Sequence, residues 1–291
     1  MDVDWRAHRR EVVVNGRRVN VVEIGNGRPL LFVHGLGGSW ANWLENICAF
    51  APDHRVVALD LPGFGASELP REPISISGYA RGLAGLCDEL GIASAAVVGN
   101  SMGGFVAAEL AIAHPQKVER LCLVSAAGLS IEELRLGQLL AVLGRVERIV
   151  ALYGGWVASR SSLLARRAGL RRLVLRTVAA HPELLPAPLV AEQVAGAGRP
   201  GLLPALGAMA GYPLRDRLAQ VDCPTLIVWG RSDRLVPVRD ADEFERLIAG
   251  ARKIVYDDTG HVPMLERPTC FNEDLRAFLR EPPGERSAAA D

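Results

Sequence analysis

Aromatic residues make up only 5% of this 291-residue chain, and cysteine occurs five times. The cysteines, Cys48, Cys87, Cys122, Cys223 and Cys270, are odd in number and widely scattered, unlike the disulfide framework of a small secreted domain. Set mostly among apolar neighbours such as Leu121 and Leu123, they are expected to be buried free thiols in a reducing compartment. No Cys/His spacing of the zinc type occurs, so no metal and no cofactor is expected. Net charge is also missing: 33 Lys and Arg balance 33 Asp and Glu, which removes any general electrostatic case for a nucleic-acid partner. Long apolar runs are absent as well. The most apolar helical stretch, 136–155, is interrupted by Arg145, Glu147 and Arg148 and cannot supply the roughly 20 uninterrupted apolar residues of a membrane span. The opening residues Met1-Asp2-Val3-Asp4-Trp5-Arg6 lack the apolar core of a secretory signal, so the expected location is the cytoplasm.

What remains is an ordinary globular composition, 49% hydrophobic and 23% charged, long enough for a sizeable core. Glu11 to Val14, the pair Asn15-Gly16, and Arg17 to Ile24 read as a hairpin closed by a tight turn. Short apolar runs follow at Pro29 to Val33, Arg55 to Leu59, Ala95 to Gly99 and Leu121 to Ser125, each leading into a turn and a helical pattern. Such runs fit parallel strands buried on both faces. One intervening helix is expected from Ser77, as N-cap, through Tyr79 to Leu90, with Gly91 just beyond its end. Alternation stops near Gly128 and resumes at Pro224, with strands at Thr225 to Trp229 and Lys253 to Tyr256 and a last helix from Pro268.

The interruption differs in kind. Residues 128–215 carry eleven Arg, no Lys, five Glu and no Asp, a balance of +6 that leaves −6 for the remainder. Ser130-Ile131-Glu132-Glu133 has the pattern of a capping box, and Ser162 to Val178 has helical spacing with an Arg-rich face. Pro186, Pro188, Pro200 and Pro204 divide the later part. The expected organisation is a core of residues 1–127 and 216–281, a helical cap of residues 128–215 and a disordered tail of residues 282–291.

Gly99-Asn100-Ser101-Met102-Gly103 matches G-x-S-x-G between an apolar run and a helical stretch. That context suits a sharp turn that exposes a serine Oγ and needs small neighbours. A serine nucleophile needs a base, and His261 lies in the loop after the final apolar run. The base needs a carboxylate to fix its tautomer. Asp233, after the preceding strand, completes the chain order Ser, Asp, His; Asp257 and Asp258 compete by proximity in sequence but suit the closing of a turn. The other acid position, after the strand ending at Ser125, holds Ala126 and Ala127. Oxyanion donors are expected from the backbone N–H of Met102 and of Leu36 in His34-Gly35-Leu36-Gly37-Gly38, with His34 itself structural.

These segments, with Asp60-Leu61-Pro62-Gly63-Phe64-Gly65-Ala66-Ser67, Trp229-Gly230-Arg231-Ser232-Asp233 and Gly260-His261, resemble the α/β-hydrolase superfamily in order and spacing. The resemblance covers about residues 10–280. It implies an α/β-hydrolase fold: a mostly parallel eight-stranded sheet with its second strand antiparallel, helices on both faces and a helical cap insertion. The turn Gly99 to Gly104 is similar to that of hydrolases cleaving carbon–carbon bonds in ring-fission products. Those enzymes generally place Trp after the catalytic His, where this chain has Val262. His261 to Pro268 looks more like carboxylesterases and monoacylglycerol lipases. The expected activity is therefore hydrolysis of a carboxylic ester with a small to medium apolar acyl group. A carbon–carbon hydrolase, a cofactor-free perhydrolase and a non-catalytic small-ligand sensor are the alternatives. The expected pocket residues are Leu136, Leu139, Leu140, Leu143, Trp156 and Val262. The basic cap also allows peripheral contact with a membrane surface.

Overall fold

The computed structural model describes residues 3–132, 168–187, 190–191 and 199–282. Eight strands, β1 (Arg9–Val14), β2 (Arg17–Ile24), β3 (Arg28–Val33), β4 (His54–Leu59), β5 (Ala95–Asn100), β6 (Val118–Val124), β7 (Thr225–Gly230) and β8 (Arg252–Tyr256), form one sheet in the order β1-β2-β4-β3-β5-β6-β7-β8. β2 runs antiparallel to both β1 and β4, and every pairing from β4 to β8 is parallel. The hairpin turns through Asn15 and Gly16, both at positive φ (52° and 71°), the primed-turn geometry that Asn-Gly favours.

Consecutive strand residues point to opposite faces, so a run of apolar residues feeds two cores. Leu31, Val33, Val57, Leu59, Val97, Leu121, Leu123 and Ile227 face one layer. That layer is covered by α2 (Ile76–Glu89), α3 (Met102–Ala113) and α6 (Arg239–Leu247). Leu30, Phe32, Val56, Ala58, Val98, Val124 and Val228 face the other, covered by α1 (Leu44–Phe50) and α7 (Pro268–Arg280). Between β6 and β7 the described residues include α4 (Ala168–Leu175) and α5 (Leu202–Met209), and Pro204 falls in the first turn of α5, where its missing N–H costs nothing. Among the described residues no helix is long and apolar enough to cross a membrane.

Three local expectations are corrected. Ser75, not Ser77, caps α2, its Oγ accepting from the Gly78 N–H at 3.0 Å; Ser77 Oγ instead meets the Tyr212 hydroxyl at 3.2 Å. Ser130 lies within helix Leu129–Glu132 and not at the position before its first residue. Its Oγ donates to Asp240 Oδ1 at 2.5 Å, a partner 110 residues away that no local pattern announces. Cys87 and Cys122 are buried, with burial pushing the Cys87 thiol up to about 11, but Cys48 and Cys223 are half-buried and Cys270 is exposed on the first turn of α7.

Candidate active site

The loops after β3, β5, β7 and β8 all leave the carboxyl edge of the sheet. β3 and β5 are neighbours, yet the chain turns from β3 toward β4 and from β5 toward β6. Such a switch point opens a crevice outside the strand ends.

Ser101 follows β5 directly and stands at φ 55°, ψ −120°, a backbone state that costs a non-glycine residue about 1–3 kcal/mol. Three contacts hold it there: its N–H donates to Val124 O at 3.0 Å, and its carbonyl accepts from Phe105 and Ala127. Close approach explains the flanking glycines. A Cβ at Gly103 would lie 2.3 Å from the Val33 carbonyl oxygen, and one at Gly99 would lie 2.3 Å from that of Gly103. A Cβ at Gly35 would lie 3.0 Å from Ser101 Cβ, so the loop after β3 passes directly over the serine.

That loop carries Leu36, and Met102 begins α3. Neither backbone N–H has a hydrogen-bond partner among the described residues. His34 is buried beneath them. Its Nδ1–H donates to Gly35 O at 2.7 Å and its Nε2 accepts from the Leu61 N–H at 2.9 Å, so it braces the loop. Burial lowers its pKa against the opposing pull of Asp60 and the Gly35 carbonyl, which keeps the ring neutral. Asp60 in turn accepts from Asn20 Nδ2, Trp40 N–H and Ala66 N–H, each at 2.8 Å.

Asp233 and His261 meet, although 28 residues separate them: Asp233 Oδ2 lies 2.8 Å from His261 Nδ1. The Asp233 side chain is 0% exposed and that of His261 6%. Asp233 Oδ1 accepts from the N–H groups of Leu235 (2.9 Å) and Val236 (3.0 Å). An ionised carboxylate only accepts, so this pairing selects the tautomer of a neutral imidazole that has its proton on Nδ1 and its lone pair on Nε2. The competing carboxylates lie at the surface. Asp257 pairs with Arg231, and Asp258, at φ 51°, faces His181 Nε2 at 2.9 Å.

Two residues quoted only within motifs turn out to join these loops. Asn100 is buried, and its Nδ2 donates to Val124 O (3.1 Å) and His261 O (3.2 Å), tying the serine turn to the histidine loop. Glu266 accepts from Gly260 N–H at 2.9 Å and, from 86 residues earlier in the chain, from Ala180 N–H at 2.8 Å. Burial raises its pKa against the lowering pull of the N–H groups of Ala180, Gly260, His181 and Val262. The signal in sequence is the spacing: one short helical turn, Pro263–Glu266, folds the carboxylate back over the loop. The His261 N–H itself donates to Val178 O at 2.8 Å, so the segment after α4 is hydrogen-bonded to the histidine loop. Of the expected pocket residues, Val262 is buried in the layer under α7, whereas Leu136, Leu139, Leu140, Leu143 and Trp156 lie outside the described residues.

A serine on a strained strand-to-helix turn and a histidine paired to a carboxylate, all at the carboxyl edge of this sheet, define a hydrolase class. The chain belongs to the α/β-hydrolase family: the family described as alpha/beta hydrolase fold matches residues 28–268. Among its relatives, a 2-hydroxymuconate semialdehyde hydrolase of Pseudomonas sp. (strain CF600) is 31% identical over 290 residues, covering 94% of each chain. Est816, an N-acyl homoserine lactone degrading enzyme, superposes with a TM-score of 0.76 at 27% identity, covering 92% of this chain and all of that one. A thermophilic esterase from Thermogutta terrifontis gives a TM-score of 0.76 at 25% identity, covering 94% and 98% of the two chains. The protein is thus a hydrolase of the esterase or ring-fission-product type.

Proposed function

We propose that the protein hydrolyses a carboxylic ester through an acyl-enzyme intermediate on Ser101. The observation that carries this reading is the buried Asp233–His261 pair, whose loop Asn100 ties to the turn on which Ser101 is held in a strained backbone state. His261 Nε2 takes the Ser101 proton as Oγ attacks the ester carbonyl. The developing oxyanion is met by the N–H groups of Met102 and Leu36, one such donor being worth about 3–4 kcal/mol of barrier. The imidazolium, stabilised by Asp233, then gives its proton to the departing alkoxide. Water repeats the sequence on the acyl-enzyme.

The ester reading draws on the esterase and lactone-degrading neighbours and on Val262, which stands where ring-fission hydrolases generally carry Trp. The competing reading, cleavage of a ring-fission product, draws on the semialdehyde hydrolase relative, matched over 94% of both chains. In either case residues 128–215 act as a lid over an apolar pocket, with Leu136, Leu139, Leu140, Leu143 and Trp156 as its lining. A panel of p-nitrophenyl esters of rising acyl length, run beside a ring-fission product, tests the choice. The ester reading expects kcat/KM on the best ester to exceed that on the ring-fission product; the reverse order overturns it in favour of carbon–carbon cleavage.

A further inference from the structure

Ser101 is not the only strained serine at the carboxyl edge of the sheet. Ser125, the residue that follows β6, stands at φ 44°, a left-handed state that is costly for most residues other than glycine and that clusters at functional sites. It is 0% exposed, and its Oγ is buried without a hydrogen-bond partner among the described residues. The large majority of buried hydroxyls in folded proteins have a partner, so an unpaired one on a strained residue needs a reason.

The backbone bonds around Ser125 fix where it lies. Its N–H donates to Val228 O at 2.9 Å, and the register that pairs Val124 with Val228 brings it level with Trp229, one residue short of the end of β7. The chain before and after it is bonded to the serine turn: Val124 O accepts from the Ser101 N–H, and the Ala127 N–H donates to Ser101 O. Asn100 Nδ2 bridges Val124 O to His261 O. Ser125 is therefore set between the serine turn after β5 and the loop after β7 that carries Asp233, whose N–H donates to Gly230 O at 3.2 Å. The carbonyls that join this region to the serine turn are filled. Val124 O takes two donors, Ser101 N–H and Asn100 Nδ2, and Ser101 O takes two, the N–H groups of Phe105 and Ala127. Asp233 differs. Its Oδ1 accepts twice, from Leu235 and Val236, but Oδ2 accepts only from His261 Nδ1–H among the described residues, and the side chain is 0% exposed. A carboxylate oxygen with one donor has a lone pair to spare.

We propose that Ser125 is a positioning residue for the hydrolysis: its hydroxyl rotates about Cα–Cβ to donate to Asp233 Oδ2 and so fixes the carboxylate that faces His261. A buried donor without an acceptor and a buried acceptor with a lone pair to spare, at the ends of neighbouring strands, complete each other. The inference rests on Asp233 being the acid of the proposed reaction. It accounts for a serine where the backbone alone favours glycine.

Steady-state kinetics on p-nitrophenyl acetate test this. S125A should lower kcat about tenfold, the worth of one hydrogen bond to a charged group, with KM within about twofold. S125G, which relieves the positive φ, should match that loss without lowering Tm. In a D233N background the S125A step should cost less than about twofold, because the amide turns its oxygen to the Leu235 and Val236 N–H groups and offers Ser125 no acceptor. The low-field proton resonance of His261 Nδ1–H should move in S125A, which a serine held only for the fold would not cause. If no ester turns over, the rate at which a fluorophosphonate labels Ser101 replaces kcat, since labelling needs the triad and not an acyl pocket. A silent ester assay with rapid labelling then counts against the ester reading alone. Full activity in folded S125A or S125G, equal S125A losses in wild-type and D233N backgrounds, or a loss confined to KM overturns the proposal, as does a wild-type Ser101 that does not label.

Discussion

Replacing Asp233 by Asn tests the site with almost no change in shape. The carboxylate accepts three hydrogen bonds, from the Leu235 and Val236 N–H groups at Oδ1 and from His261 Nδ1–H at Oδ2. An amide has one accepting oxygen and must choose. If that oxygen faces His261, the NH₂ group opposes two backbone donors, and leaving them unsatisfied costs about 1–3 kcal/mol each, or about 2–6 kcal/mol together. If it faces the backbone, those bonds survive and the NH₂ donates to Nδ1, which drives the imidazole proton to Nε2. The second arrangement wins, and its histidine cannot take a proton from Ser101. At 1.36 kcal/mol per tenfold, 2–6 kcal/mol corresponds to a loss of about 30-fold to beyond 10⁴-fold. Losing the carboxylate's stabilisation of the imidazolium pushes toward the upper end, so kcat on p-nitrophenyl acetate should fall about 10³–10⁴-fold, in line with the tautomer loss in Ser-His-Asp enzymes. Thermal unfolding by circular dichroism should shift little, because the backbone bonds remain. D257N and D258N, at surface turns, should each stay within twofold of wild type. A loss below tenfold in folded D233N would refute the reasoning and move the acid elsewhere.

Ser101→Ala and His261→Ala should each leave only trace ester hydrolysis in a folded protein, since such groups act as a unit; more than a tenth of wild-type kcat in either excludes the mechanism. Glu266→Gln loses one of two accepting oxygens that hold Gly260 and Ala180, so differential scanning calorimetry should show a destabilisation of about 1–3 kcal/mol together with a lower kcat. An unchanged Tm and kcat would show that this clamp is dispensable. Truncating Trp156 to Ala should reduce kcat/KM for an octanoyl ester far more than for an acetyl ester, each buried methylene being worth about 0.8 kcal/mol. Equal losses on both esters would show that the cap supports the fold and does not select substrate.

The alternation of apolar runs with helical patterns determined the sheet before any coordinate, because strands buried on both faces must be apolar throughout, and the hairpin followed from Asn15-Gly16, which suits two consecutive positive φ values. Gly99 to Gly103 marked the serine turn for a comparable reason: backbone approaching within 2.3 Å of a Cβ position admits only glycine, a local demand that leaves a local trace. Pairings across the sheet left no such trace. Asp257 and Asp258 stand nearer His261 in sequence than Asp233 does, and only the path of β7 beside β8 brings Asp233 to Nδ1 while the others turn outward. Ser77 and Ser130 looked like helix caps because capping patterns are short; Ser75 was in better register for one, and Asp240 claimed the other from 110 residues away. The bridges from Asn100 to His261 and from Glu266 to Ala180 were decided by tertiary structure alone, since a hydrogen bond between segments distant in the chain depends on where folding brings them and not on any period in the sequence.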